Sequence, residues 1–253
     1  MFGRLKSSLR RIITTSVLVS LLVGLAFVSS LKQTQMSSVR EIQSPNNISE
    51  LLNPRAAAAV AKSRNSAVSV MSISAEGIVS SSSGTYLKLK NQYYIITVSH
   101  GIVGGCSSIR IMTDRGMFEC VELKVLDRRI DYAIIQVDII PGRVAVKVPT
   151  DHPKMNDWHR QLGIQRGIYY TGYPNGQGPL TFSGEISGHD HHENVYVHSF
   201  AWPGSSGSGV FGESGKLIGI ITAISVGSTE FGIDVLEDIM IVIPLYKIEW
   251  DML

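Results

Sequence analysis

The chain has 253 residues, 44% of them hydrophobic and 17% charged, with 24 glycines and a formal charge of +2. This composition excludes a disordered chain, a collagen-like repeat and a multi-span membrane protein, and two cysteines in this length exclude a disulfide scaffold or a Cys-rich zinc module. Arg4, Lys6, Arg10 and Arg11 account for +4, so the remaining chain carries −2 and offers no electrostatic footprint for nucleic acid.

From Ile12 to Leu31 runs a charge-free stretch of about 20 residues, the length a helix needs to cross hydrocarbon. Basic residues before it, with only Lys32 just after, favour a cytoplasmic N-terminus and place everything downstream on the far side of a membrane. The small residues of Val28-Ser29-Ser30 also suit a cleaved signal peptide, which would leave a secreted protein. Residues 32–55 turn polar, with Pro45, Asn46, Asn47 and Pro54 as breakers, and read as a linker. Asn47-Ile48-Ser49 is a glycosylation sequon if the host is eukaryotic. Ala56–Ser63 predicts a short helix that opens the folded part, residues 56–253.

Beyond residue 65 the pattern is one of short β-branched and aromatic runs separated by Gly, Ser, Asn and Asp. Predicted strands are Ala67–Ile73, Ser82–Leu89, Tyr93–Val98, Ser108–Met112, Phe118–Leu126, Ala133–Val137, Ile168–Gly172, Leu180–Ser187, Val195–Ser199, Gly209–Phe211, Leu217–Ile224 and Ile239–Ile243. Strands at this spacing, without long amphipathic helices between them, predict an all-β barrel or sandwich. Tyr246–Leu253 predicts a closing helix.

Three segments place a polar, chemistry-bearing residue beside a strand. Tyr94–Val98 ends in Ser99-His100, Asp131 directly precedes an apolar run, and Trp202-Pro203-Gly204-Ser205-Ser206-Gly207-Ser208-Gly209 is a Gly/Ser turn feeding a strand. Each alone has an ordinary reading: a structural histidine, a turn aspartate, a flexible linker. Together they supply what nucleophilic catalysis by a hydroxyl needs, namely a base to take its proton and a carboxylate to orient that base. The chain order His, Asp, Ser and the lack of a strict G-x-S-x-G elbow argue against an α/β-hydrolase.

On these residues the sequence resembles a trypsin-like serine peptidase of the chymotrypsin clan, most closely the protease domain of the HtrA/Deg group. Thr97-Val98-Ser99-His100 is similar to that family's T-x-x-H, Asp131-Tyr132-Ala133-Ile134-Ile135 to its D-x-A-hydrophobic pattern, and Gly204-Ser205-Ser206-Gly207 to its G-x-S-G. The likeness extends through Gly172-Tyr173-Pro174, Ser183–Ile186, Gly215–Ile220 and Ile243-Pro244, from about residue 66 to 253. It implies a double six-stranded β-barrel with a split near 145–165, a polypeptide substrate, no cofactor and an acyl-enzyme mechanism. It assigns Ser206 as nucleophile, His100 as base and Asp131 as its orienting carboxylate, with the backbone N–H groups of Gly204 and Ser206 as the oxyanion hole. Ser205 and Ser208 are the rival hydroxyls and Asp127 the rival carboxylate.

Departures from the family matter too. Ser205 stands where many secreted trypsins carry the Asp that pairs with a new N-terminus, so that activation route is expected to be absent. Ile102-Val103-Gly104-Gly105 imitates such an N-terminus but follows His100, where a cut would separate base from nucleophile. The sequence stops soon after Ile243-Pro244, so the PDZ module usual in HtrA proteins is not expected. Phe200, Ala201, Ile221, Thr222, Ala223 and Ile224 are the expected specificity pocket, apolar or small, which predicts cleavage after a small or medium apolar residue; His198 lies close enough to modify this.

His189-Asp190-His191-His192 invites a metal reading, but its position before the Val195 strand reads as a polar hairpin tip, and no metal is expected. Cys106 and Cys120 flank the Ile109–Phe118 hairpin; a register centred on Asp114–Gly116 does not set them opposite one another, which argues against a disulfide without excluding one. Two other roles stay open at this point: a catalytically silent barrel used for binding, and a protease delivered by its membrane segment (12–31) to one membrane-linked substrate.

Overall fold

Strands form where the β-branched and aromatic runs lie, and the residues between the runs decide where each strand stops. The computed structural model describes residues 54–148, 160–229 and 232–253, with side chains described outside 54–55 and 224–237. The expected membrane or signal segment, nearly all of the linker and most of the expected boundary between barrels lie outside the described residues. Among the described residues no helix is long and apolar enough to cross a membrane. Asn53–Leu253 form one unit.

Helix α1 (Pro54–Ser66) is longer than the sequence predicts, and it starts on a proline, whose fixed φ suits the first helical turn. Its Ala56, Ala59 and Val60 are buried, and Ser63 Oγ donates to Thr171 Oγ1 at 2.8 Å.

The first sheet contains β1 (Ala67–Ile73), β2 (Val79–Leu89), β3 (Gln92–Thr97), β4 (Ile109–Thr113), β5 (Gly116–Glu119), β6 (Glu122–Asp127), β7 (Tyr132–Val137) and β8 (Val146–Lys147). Its order is β5-β4-β1-β2-β3-β7-β6, with β8 parallel to β2. Among the described residues the expectation of six strands is corrected to eight. The predicted run Phe118–Leu126 is two strands, because the chain turns at Cys120-Val121 to leave one sheet edge, where β5 pairs with β4, for the other, where β6 pairs with β7. A two-residue link between opposite edges forces the sheet to curl until its edges approach, which makes it barrel-like. β8 is too short to leave an alternating signature.

Cys106 and Cys120 form a disulfide, with Cα atoms 5.4 Å apart. The β4–β5 register pairs Arg110 with Glu119 and so sets Ile109, not Cys106, opposite Cys120. The register reasoning fails because the chain before Ile109 does not continue as a strand: Cys106–Ser108 coil into a 3₁₀ turn that folds Cys106 back to Cys120.

The second sheet is a closed six-stranded barrel, as expected, in the order β10-β11-β14-β13-β12-β9. Its strands are β9 (Gly167–Gly172), β10 (Leu180–His189), β11 (Val195–His198), β12 (Gly209–Gly212), β13 (Leu217–Thr229) and β14 (Gly232–Pro244). β13 and β14 extend beyond the predicted runs as a long hairpin whose register shifts between Ile221 and Ala223 and between Ile224 and Ser225. The predicted closing helix is instead two 3₁₀ turns, Leu245–Lys247 and Trp250–Met252. Leu245, Ile248 and Trp250 are all buried, a spacing that no single helical face accommodates.

Each sheet encloses apolar side chains. Val68, Val70, Tyr86, Ile95, Ile111 and Ile135 cluster on one face of the first, and Ile168, Tyr170, Ile186, Val197, Val210 and Val242 on one face of the second. The opposite faces of β3 and β7, carrying Tyr94, Ile96 and Ile134, pack with the second cluster. Burial on both faces explains why these two strands read as continuous apolar runs rather than alternating ones. Their ends carry the residues described next.

Candidate active site

β3 and β7 pair antiparallel with Thr97 opposite Ala133, so His100, three residues past Thr97, and Asp131, two before Ala133, emerge at the same end of the ladder. His100 Nδ1 lies 2.8 Å from Asp131 Oδ2, and the His100 backbone N–H donates to Asp131 Oδ1 at 2.9 Å. A carboxylate partner requires the proton on Nδ1, which leaves Nε2 with a free lone pair. Ser99 Oγ donates to Asp131 Oδ1 at 2.9 Å, and Thr222 Oγ1 from β13 donates to Asp131 Oδ2. Burial pushes the Asp131 carboxyl up, but the hydrogen bonds from the His100 ring, Thr222 and the His100 backbone outweigh it and hold the pKa at about 2. Asp131 itself has φ 62°, a left-handed conformation costly for a non-glycine residue, maintained by this set of contacts.

Asp127, the rival carboxylate, is engaged elsewhere: its Oδ1 accepts the N–H groups of Arg129 at 2.7 Å and Ile130 at 3.2 Å. It shapes the turn that delivers Asp131. Arg128 holds the segment on both sides of the histidine, donating to Ser99 O at 2.9 Å and Ile102 O at 2.8 Å.

The loop before β12 presents three hydroxyls in unlike surroundings. Ser205 is 1% and Ser208 0% exposed, whereas Ser206 is partly exposed. Ser205 Oγ accepts the Trp202 N–H at 3.3 Å, and Ser208 Oγ is buried without a hydrogen-bond partner among the described residues. Gly207 N–H donates to Ile221 O at 2.7 Å and Ile221 N–H to Ser208 O at 3.0 Å, next to Thr222 on Asp131. The Ser206 loop and the His100–Asp131 pair are thereby joined through adjacent residues of β13. The hydrogen bonds among the described residues do not include one between Ser206 Oγ and His100 Nε2; such contacts are often long before substrate binds.

The N–H groups of Ser205, Gly207 and Ser208 are used within the fold, while those of Gly204 and Ser206 donate to no protein acceptor among the described residues. Gly204 has φ +93°, and a Cβ there would lie 2.7 Å from Tyr173 O, so the position demands glycine.

Of the expected pocket residues, Phe200 is 59% exposed, Ala201 and Ile221 are buried, Thr222 and Ala223 are partly buried, and the Ile224 side chain is outside the described residues. Phe200 lines a pocket with Ser183, Glu185, His198 and Asp238, in which His198 Nε2 is 3.8 Å from Asp238 Oδ2. Sequence reasoning missed the service of Thr222 and Ser99 to Asp131, since an isolated hydroxyl residue carries no signal of the face it occupies. Asp190 accepts the N–H groups of His192 and Asn194, both at 2.8 Å, as a hairpin-turn residue, and among the described residues no three metal-binding side chains come together.

The profile of the trypsin-like peptidase domain family matches residues 75–220, more than half of the chain. No curated protein matches the sequence. Among solved structures, the chain is similar to a serine endoprotease from Yersinia pestis (23% identity, TM-score 0.55, covering 74% of this chain and 61% of that one). It is also similar to the Rv3671c protease from M. tuberculosis in its active form (17%, 0.55, 74% and 79%). A third is the HtrA-type protease AlgW with tripeptide (19%, 0.57, 75% and 59%). The chain thus spans about three-fifths of the first and third, and at these identities the likeness is one of fold. The family match and the all-β architecture with two barrel-like sheets agree, and the chain belongs to the trypsin-like peptidase family.

Proposed function

We propose that the chain is a serine endopeptidase working through His100, Asp131 and Ser206. The observation that carries this reading is the His100 ring held on an ionised, fourfold hydrogen-bonded Asp131, with Nε2 left free to accept a proton. Ser206 Oγ attacks the substrate carbonyl as Nε2 takes its proton, and the resulting oxyanion accepts the N–H groups of Gly204 and Ser206. His100 then protonates the leaving amine, and water, activated by the same ring, hydrolyses the acyl-enzyme. Asp131 stays ionised throughout, stabilising the imidazolium and fixing its tautomer. Partial exposure favours Ser206 over the buried Ser205 and Ser208. Ser206→Ala is expected to lower peptide hydrolysis by orders of magnitude and to abolish labelling by a serine-directed fluorophosphonate, with unchanged circular dichroism. Equal hydrolysis by wild type and variant would sink the reading and leave a binding barrel in its place.

The residues proposed to line the specificity pocket, Phe200, Ala201, Ile221, Thr222, Ala223 and Ile224, are apolar or small, which supports cleavage after small or medium apolar residues; Glu185 and Asp238, which share a pocket with Phe200, are the acids that a Lys or Arg preference would use. Peptide-library profiling with a dominant Lys, Arg or Glu preference would overturn this. Residues 12–31 are proposed to anchor the domain on the extracytoplasmic side of a membrane, or to direct secretion if cleaved. The Cys106–Cys120 disulfide supports an oxidising compartment. Protease protection of the domain in intact cells, or its accumulation in the cytosol, would refute it.

A further inference from the structure

The Ser206 loop has a feature that its own residues do not account for: every peptide carbonyl from Trp202 to Ser206 is hydrogen-bonded. Trp202 O accepts Ser205 N–H at 2.9 Å, Pro203 O accepts Asn175 N–H at 2.7 Å, and Ser205 O accepts Ser208 N–H at 3.1 Å. The other two, Gly204 O and Ser206 O, are both held by one residue of the first sheet. Ser83 Oγ donates to Gly204 O at 2.6 Å, and Ser83 N–H donates to Ser206 O at 2.8 Å. The same hydroxyl accepts Tyr173 N–H at 2.8 Å, and Ser83 O accepts Thr97 Oγ1 at 2.6 Å. Ser83 is 0% exposed and spends all its polar groups on three segments: the loop of Ser206, the turn after β9, and β3 three residues before His100.

A peptide unit is planar, with its C=O and N–H pointing in opposite directions, so holding a carbonyl fixes the N–H across the bond. Asn175 on Pro203 O aims the Gly204 N–H away from Asn175, and Ser208 on Ser205 O aims the Ser206 N–H away from the turn. Ser83 locks the Gly204–Ser205 plane, which lies between the two donors, and the Ser206–Gly207 plane, which follows them, so the two donor planes are held from both sides against rotation. Gly207, with φ +89°, has its α-carbon packed so closely on the Ser83 carbonyl that a Cβ would collide with it.

We propose that Ser83 is a positioning residue for the hydrolysis assigned to Ser206: from the first sheet it sets the direction of the Gly204 and Ser206 N–H groups and the placement of the Ser206 loop relative to the β3 end that carries His100. The proposal rests on the serine-peptidase reading above. Ser83 does not touch substrate. Its loss acts where charge develops, so it lowers kcat rather than substrate affinity.

The test uses the full chain with a peptide substrate and a peptide boronate that mimics the tetrahedral intermediate. Ser83→Ala is expected to lower kcat about 100-fold, leave KM within about twofold, and weaken the boronate in parallel with kcat. The acid limb of the pH–rate profile is expected to stay in place, since His100 and Asp131 are untouched. Ser66→Ala, equally buried but with its hydroxyl bonded only to Lys62 O and Ser63 O within α1, is expected to keep wild-type kcat; this separates a positioning role from the general effect of losing a buried hydroxyl. If Ser83→Ala does not fold, Ser83→Cys, similar in shape but a weak hydrogen bonder, carries the test with an expected kcat loss of at least about tenfold. A Ser83 variant with wild-type kcat, or one whose loss lies in KM with boronate affinity intact, overturns the proposal while leaving the peptidase reading standing. A wild-type protein without hydrolysis or fluorophosphonate labelling overturns both.

Discussion

Four donors converge on the Asp131 carboxylate, and each stabilises its ionised form more than its neutral one. The folded-state pKa of about 2 lies below the ordinary 3.8, so the ionised carboxylate contributes stability at pH values above about 4. That contribution is lost as pH falls through about 2. The side chain is only 26% exposed, and the shift corresponds to about 2 kcal/mol. Thr222→Val removes one donor at little cost in shape. It is expected to raise the Asp131 pKa, to move the acid unfolding transition to higher pH, and to lower kcat about tenfold. Denaturant titrations between pH 2 and 7 and steady-state kinetics check the three effects; an unshifted acid transition would contradict this account of the carboxylate. At this scale His100 and Asp131 stand out in the sequence because each lies at the end of an apolar run, and Ser206 because it lies in a Gly/Ser turn that feeds one. The bond of Thr222 to Asp131 is not legible in this way, because a one-residue register shift in β13 decides which way a side chain faces, and sequence does not show a bulge.

Among the elements, the predicted strand positions largely coincide with the observed ones, β1 to the residue, because β-branched runs ended by Gly, Ser or Asp define both. The misses come from geometry that is not periodic. A corner at Cys120-Val121 divides one run in two, and a 3₁₀ turn brings Cys106 to its partner against the strand register. The disulfide closes a short loop around β4 and β5, with 14 residues of sequence separation, and a loop of this size limits the entropic stabilisation to about 3 kcal/mol. Reduction, or replacement of both cysteines by serine, is therefore expected to lower Tm by several degrees while kcat stays near that of wild type, because the hydrogen bonds that hold the His100–Asp131 pair come from Ser99, His100 and Thr222 and from neither cysteine. Scanning calorimetry with and without reductant measures the first effect and peptide hydrolysis the second; loss of activity at temperatures where the reduced protein remains folded would refute the separation.

Across the whole molecule, the two sheets are tied by polar contacts at the site and by α1 behind it. The helix leads directly into β1 of the first sheet, yet its buried face lies on the second: Ala59 belongs to the second cluster, Lys62 Nζ donates to Gly215 O at 3.0 Å, and Arg64 Nη1 donates to Thr181 Oγ1 at 2.8 Å. Burying Ala56, Ala59 and Val60 contributes on the order of 3 kcal/mol, and the polar contacts about 1 kcal/mol each. A chain starting at Asn53 is expected to match the full chain in denaturant stability, and one starting at Ala67 to lose several kcal/mol. Urea titration of both checks this, and equal midpoints would show that the helix is dispensable. The sequence shows a helix at this place through its alanine run but not which sheet it covers, since short alanines leave little amphipathic contrast.

The docking of α1 also has a mechanical consequence. A pull on the chain ahead of Pro54 does not reach the β1 ladder first; it loads the contact between the helix and β9, where Ser63 meets Thr171. One residue beyond Thr171, β9 ends at Gly172, and the chain passes into Tyr173–Asn175, whose backbone grips Pro203. The thirteen residues of α1 thus form a lever whose load path runs through β9 to the Ser206 loop, so tension on the chain and the alignment of that loop share one strand.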